Sequence, residues 1–286
     1  MIYICADDYG LCEKTSNRIK QCVDECALNK VSVFPNFDRV NLGELLAKEN
    51  VSVSLHLNLV EGRCLANNEE IKLITNEKGY FKHTFIGLLL NSLIRKKEFQ
   101  SQIYKEIKAQ VLFWKEALPE NTPFLIDSHQ HTHMIPAIFK MLIKVLNEEK
   151  INVKYLRIPT EPISPYLKTP SLYFTYNFAN IIKQWLLKFL WLFNKGKLNE
   201  NIPTALFFGI LFSGKMDEKR VKRILPEYIK LAKKKNMDIE VLFHPGFITN
   251  EEMKTEEASI VFEKFYCSKN REIEFNTAMK INLKEA

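Results

Sequence analysis

The strongest constraint on this chain is a rhythm: short apolar runs alternate with longer stretches of helical periodicity from end to end. The runs at 2–6, 31–34, 51–57, 123–127, 153–158, 205–209 and 239–243 read as strands, and the stretches at 15–29, 41–49, 99–117, 137–149, 217–236 and 271–280 as helices. At 137–149, for example, Ile138, Met141, Leu142 and Val145 fall on one stripe. Strands that take turns with helices run parallel, because each return to the sheet needs a crossover. A chain of 286 residues is long enough to wind such units into an α/β fold of the TIM-like (β/α) barrel type, regular or distorted. No repeat, low-complexity tract or linker divides it, so residues 1–286 read as a single domain.

Residues 172–198, LYFTYNFANIIKQWLLKFLWLFNKGKL, stand apart as an inserted apolar and basic helical segment. The segment is too short and too charged to span a bilayer. It reads either as a barrel helix packed on all sides or as an interfacial helix that touches a membrane peripherally. Lys and Arg exceed Asp and Glu by 41 − 34 = 7, but they mix with acids, as in Glu218-Lys219-Arg220. That mixture suits solvated helix faces, and no nucleic-acid motif accompanies it. Six cysteines form no CxxC pair, which fits reduced thiols in a cytoplasm. Met1 to Ala6 enters a strand at once, so a cytoplasmic protein, free or at the inner membrane face, is the expectation.

In a β/α barrel the site is built where strands end, and the acidic and histidine clusters fall there. In Ala6-Asp7-Asp8-Tyr9-Gly10, adjacent carboxylates at a strand end can take different jobs, one on a metal and one on a proton. A DD pair before Gly is also a common turn signal. Along 51–59, aliphatic residues alternate with Ser52, Ser54, His56 and Asn58, which puts His56 on a polar face directed into the barrel. In 124–133, Asp127, His129, His131 and His133 share one side for as long as the chain stays extended. Three imidazoles so close together exceed what packing calls for and suit a transition metal. Finally, 241–247 delivers His244 onto a Pro-Gly turn, a place for either a proton donor or a structural histidine, while His83 reads as surface.

Taken together, ADDYG at 6–10, SLHLNL at 54–59, DSHQHTH at 127–133, LRIP at 156–159, HPG at 244–246 and FYCSKNREIEF at 265–275 resemble the YdjC-like carbohydrate deacetylase family. The resemblance covers nearly the whole chain. It implies a TIM-like barrel with one divalent cation held by Asp8, His56 and His129. Asp7 would be the general base and His244 the general acid. Similarity to NodB-type polysaccharide deacetylases implies an Arg that steadies the base, here Arg157. Asp127, His131 and His133 would support the ligands or touch substrate. The implied reaction removes the acetyl group from an N-acetylated amino sugar, oligomeric or lipid-linked, and releases acetate.

Two His and one carboxylate suit Zn²⁺, Mn²⁺ or Fe²⁺ by softness, whereas the resemblance brings Mg²⁺. Segment 172–198 departs from the oligosaccharide-type members. Two other classes share some of these features. An amidohydrolase-type barrel opens with HxH on its first strand, but here the first strand ends in Asp-Asp and HxH lies mid-chain. A membrane-docked binding protein of the same fold would show no turnover. Oligomerisation stays open at this level.

Overall fold

The computed structural model describes residues 1–37, 42–253 and 263–281. Its strands are β1 (Ile2–Tyr9), β2 (Lys30–Val33), β3 (Ser52–Leu57), β4 (Phe124–Ser128), β5 (Val153–Leu156), β6 (Ala205–Phe208) and β7 (Asp238–Phe243). Each falls on a predicted run. All lie in one sheet of order β5-β4-β3-β2-β1-β7-β6, with every neighbouring pair parallel.

The helices are α1 (Glu13–Asp24), α2 (Leu42–Leu46), α3 (Phe85–Ile94), α4 (Lys96–Ala117), α5 (Pro136–Glu148), α6 (Ser164–Leu167) and α7 (Phe178–Asn194). They continue with α8 (Glu218–Lys235), α9 (Asn250–Met253), α10 (Glu263–Tyr266) and α11 (Lys269–Lys280). The helix expected at 41–49 is shorter, and residue 41 lies outside the described residues.

The sheet curls on itself. The Leu156 N–H on edge strand β5 donates to the carbonyl of Pro203, just ahead of the other edge strand β6, at 3.1 Å. Leu125, Tyr155 and Ala205 close that seam. No ladder joins β5 to β6 among the described residues, so the TIM-like curl has seven strands and an open join.

Alternation along each strand sorts the side chains. Ile4, Val31, Val33, Leu55, Ile126 and Val241 enter the apolar layer under the helices, where Ile19, Ile138 and Leu142 meet them. Their neighbours Cys5, Lys30, Ser32, His56, Asp127 and Glu240 form the buried polar interior instead.

Residues 172–198 do not interrupt the barrel. They supply the crossover between β5 and β6, where α7 takes the place of an ordinary barrel helix. Its inner edge, Gln184, Leu187, Leu190 and Asn194, is buried, and its outer edge is bare. Helix α3, by contrast, has no counterpart in the periodicities read from the sequence. Thr84 caps it by accepting from the Gly87 N–H at 3.3 Å.

Candidate functional site

The site begins with an irregularity at the end of β1. Ala6 pairs with Val31 and Tyr9 with Val33, so β1 carries one residue more than β2 over this stretch. Asp8 takes up the excess with φ of 74°, a left-handed conformation that Asp tolerates better than most residues. A regular strand would send Asp7 and Asp8 to opposite faces. The bulge lets both carboxylates reach buried polar partners.

Asp8 meets two histidines from neighbouring strand ends. Its Oδ1 lies 3.0 Å from His129 Nδ1 and 3.5 Å from His56 Nε2. Asp8, His56 and His129 each offer a donor atom, and these atoms all lie within 4.8 Å of one another. His56 Nε2 is buried and has no hydrogen-bond partner, while its Nδ1 sits 2.5 Å from Asp127 Oδ1. A carboxylate behind an imidazole fixes the tautomer that leaves the far nitrogen free for a metal.

Electrostatics point the same way. Burial opposes charge on His56, yet Asp7, Asp127 and Asp8 together push its pKa up to about 10. Burial also opposes ionisation of Asp8, but Arg271 and the nearby imidazoles of His129 and His56 hold its carboxyl well below the usual range. His129 is kept neutral chiefly by burial. The field at this point calls for a positive charge, and the residues present fit a divalent cation.

Asp7 is held differently. Arg157, fully buried, donates from Nη1 to Asp7 Oδ2 at 2.7 Å and from Nη2 to Oδ1 at 2.9 Å. The same guanidinium donates to Glu240 Oε1 from Nε at 3.0 Å and from Nη2 at 2.7 Å. Lys30 reaches Glu240 Oε1 at 3.0 Å, and the Tyr155 hydroxyl donates to Oε2. A second group of potential donors, Asp7, His56 and Asp127, also lies close together, but Arg157 already engages both Asp7 oxygens.

His244 follows β7. Its backbone N–H donates to Glu274 Oε2 at 2.7 Å, and its Nδ1 lies 3.2 Å from the same oxygen, leaving Nε2 for the pocket. Glu274 and Arg271 both come from α11, within the closing segment quoted above. Arg271 donates to Asp8 Oδ2 at 2.5 Å and to the Gly246 carbonyl at 3.1 Å, clasped between the rings of Phe265 and Tyr266. Neither residue was assigned a role from the sequence. Their signal was their place in the closing segment FYCSKNREIEF.

Gly246 explains the HPG turn. A Cβ there would stand 2.3 Å from Thr15 Cγ2. Gly246→Ala is therefore expected to lower stability by about 1–3 kcal/mol through overpacking. Adding Thr15→Ser should return part of the loss in thermal unfolding. An unchanged midpoint for Gly246→Ala would contradict this contact.

The extended reading of 127–133 fails after Ser128. Residues His129–Met134 form a 3₁₀ turn, with Gln130 and His131 at φ of 51° and 59°. The three imidazoles therefore part company. His129 turns to Asp8. His133 is fully buried, its Nδ1 2.5 Å from the Ser128 hydroxyl and its Nε2 2.8 Å from the Arg157 carbonyl, so it braces the arginine's backbone. His131 lines the pocket with its buried Nδ1 unpartnered. Burial pushes the His133 pKa down to about 4 and that of His131 well down, so both are neutral.

Asp7, Asp8, His129, His131 and His244 open into a pocket of about 580 Å³. Lys183, Asn180 and Asn270 add polar walls, and Ile86, Ile182 and Leu186 apolar ones. This volume suits a sugar-sized ligand.

A family model described as YdjC-like protein matches residues 1–286. The chain belongs to the YdjC-like family. Among its relatives, a carbohydrate deacetylase of Xenopus laevis is 32% identical over 166 residues, 56% of this chain and 51% of that one. A carbohydrate deacetylase of Danio rerio is 26% identical over 164 residues, 56% of this chain and 50% of that one. One from Clostridium beijerinckii is 25% identical over 191 residues, 65% and 73% of the two chains. The chain thus spans about half the length of the two animal relatives.

In fold, the YdjC-like chain is similar to a candidate cellobiose-phosphate cleavage protein of Enterococcus faecalis V583. The TM-score is 0.68 at 15% identity, over 99% of this chain and 92% of that one.

Proposed function

We propose that this chain is a metal-dependent N-deacetylase that hydrolyses the acetamide of an acetylated amino sugar, oligomeric or lipid-linked. The observation that carries the reading is the convergence of Asp8, His56 and His129 around the unpartnered His56 Nε2, with Asp127 behind it. The carbohydrate deacetylases among its relatives support the reaction class.

Asp8, His56 and His129 would hold one divalent cation, Zn²⁺, Mn²⁺, Fe²⁺ or Mg²⁺. A bound cation lowers the pKa of water and polarises a carbonyl. Asp7 accepts the proton of the attacking water, and Arg157 fixes the carboxylate through both oxygens. His244, oriented by Glu274, delivers a proton to the departing amine. The products are acetate and a free amino sugar. Asp127 sets the tautomer of His56, and His133 steadies Arg157 from behind. His131 faces the substrate space.

The test is acetate release from N-acetylated mono-, oligo- and lipid-linked sugars with each cation in turn. An amidohydrolase-type enzyme would instead turn over other amides and leave these sugars untouched, and a binding protein would retain them unchanged.

A second expectation follows from His56. Its proton must leave when a cation binds, so apparent metal affinity should rise roughly tenfold per pH unit, as long as the pH stays below about 10. Calorimetric titration in buffers of different ionisation enthalpy should show one proton released per metal. No proton release would contradict His56 as a ligand.

A further inference from the structure

We propose that the face formed by α3 and α7 docks the protein on an anionic lipid bilayer, so that the pocket receives an amino sugar carried by a lipid. The chemistry at the pocket floor rests on the deacetylase reading; the docking does not.

Helix α7 exposes one stripe at helical spacing along its whole length, Phe178, Ile182, Trp185, Phe189 and Phe193. Trp185 is 59% and Phe189 55% exposed. The rotation of the helix is fixed from its other edge. Gln184 donates to the Glu161 carbonyl at 2.8 Å, and Asn194 to that of Met134 at 2.7 Å. The stripe therefore faces outward because the opposite side is tied down by polar bonds.

Helix α3 repeats the arrangement, with Leu93 71% and Ile94 78% exposed, and Ile86 and Leu90 on the same side. Ile86 and Ile182 both line the pocket, so each stripe runs outward from a wall of its mouth. Apolar surface of this extent around a mouth marks an interaction site.

Charge selects the occupant. No Asp or Glu occurs from 81 to 97 or from 163 to 199. Arg95, Lys96 and Lys97 are exposed where α3 ends, and Lys195 and Lys197 where α7 ends. Lys188 lies over the Trp185 ring at 5.7 Å. Apolar stripes whose own stretches of chain carry Lys and Arg but no Asp or Glu match anionic head groups above an acyl layer. A second copy paired through the same face would bring like charges together. Among the described residues no helix is long and apolar enough to cross a membrane, so the contact is peripheral.

Vesicles of phosphatidylcholine with phosphatidylglycerol, some carrying brominated acyl chains, supply the probe. Flotation should carry the intact protein with the anionic vesicles and much less with pure phosphatidylcholine, and bromolipid should quench Trp185. Trp185→Ser and Phe189→Ser should each lower partitioning roughly tenfold, as expected for an inserted aromatic, and so should the α3 pair Leu93→Gln with Ile94→Gln. None of these four residues lines the pocket, so acetate release from a soluble N-acetyl sugar without vesicles should be unchanged.

Equal recovery in solution with and without anionic vesicles would overturn the docking. So would a dimer in sedimentation that Phe189→Ser dissolves. Failure of acetate release with vesicle binding intact would overturn the deacetylase reading alone.

Discussion

Asp7→Asn is expected to lower acetate release by roughly 10²–10⁴-fold, the usual cost of a lost general base, while the protein still folds and still binds its metal. Folding survives because Arg157 keeps Glu240 at 2.7 Å and Asp127 at 3.5 Å when the third carboxylate is gone. Metal binding survives because Arg157 already engages both Asp7 oxygens, whereas Asp8, His56 and His129 keep their donor atoms together. Asp8→Asn should behave the opposite way and release the metal. Metal content measured on both variants beside their kcat separates the two roles. Loss of metal from Asp7→Asn but not from Asp8→Asn would mean that the roles are reversed.

Glu240→Gln should cost about 3–5 kcal/mol of stability, the range for breaking a buried ion pair on one side. One carboxylate here accepts from Lys30, from Arg157 twice and from Tyr155, all of them buried. The amide can accept a share of these bonds but cannot neutralise either cation. The sign of the pH effect follows from the native pKa. Burial alone would raise it, but Arg157 and Lys30 bring it down to about 2 from an ordinary 4.5. The stabilisation from Glu240 is therefore fully present above 4.5 and is lost as pH falls toward 2. Denaturant midpoints of the two proteins should accordingly differ most near neutral pH and converge in acid. A constant gap at every pH would show that the glutamate's charge is not what stabilises the interior.

Much of this fold is legible in the chain because each parallel strand is a short, largely apolar or alternating stretch set between longer helical ones. The ends of those strands also announce the site, since Asp7, Asp8, His56, His129 and His244 each stand where a run stops. Local geometry is where the reading falls short. Strand alternation gives no hint of the bulge at Asp8, which depends on one residue adopting a positive φ. Period two placed His129, His131 and His133 on one side, but the chain turns at Gln130 and sends His129 to Asp8, His131 to the pocket wall and His133 against the Arg157 carbonyl.

The charged interior was equally hidden. Lys30 stands just before one apolar run and Glu240 inside another, and the strand order β2-β1-β7 brings them within 3.0 Å. Arg271 and Glu274 reach the site from the far end of the sequence through α11, a distance in chain that no local pattern spans. Helix α3 escaped because its apolar residues lie on nearly every side, which erases the stripe that marks an amphipathic helix.

The central claim is that one cation, held by Asp8, His56 and His129, makes this site a deacetylase. Its most direct measurement is acetate release from an N-acetyl amino sugar by protein stripped with a chelator and then titrated with Zn²⁺, Mn²⁺ or Mg²⁺. Activity should vanish on stripping and return linearly until one cation per chain has been added, and the same titration of His56→Ala should stay flat. Acetate release that persists unchanged through chelation, or that His56→Ala retains in full, would contradict the account.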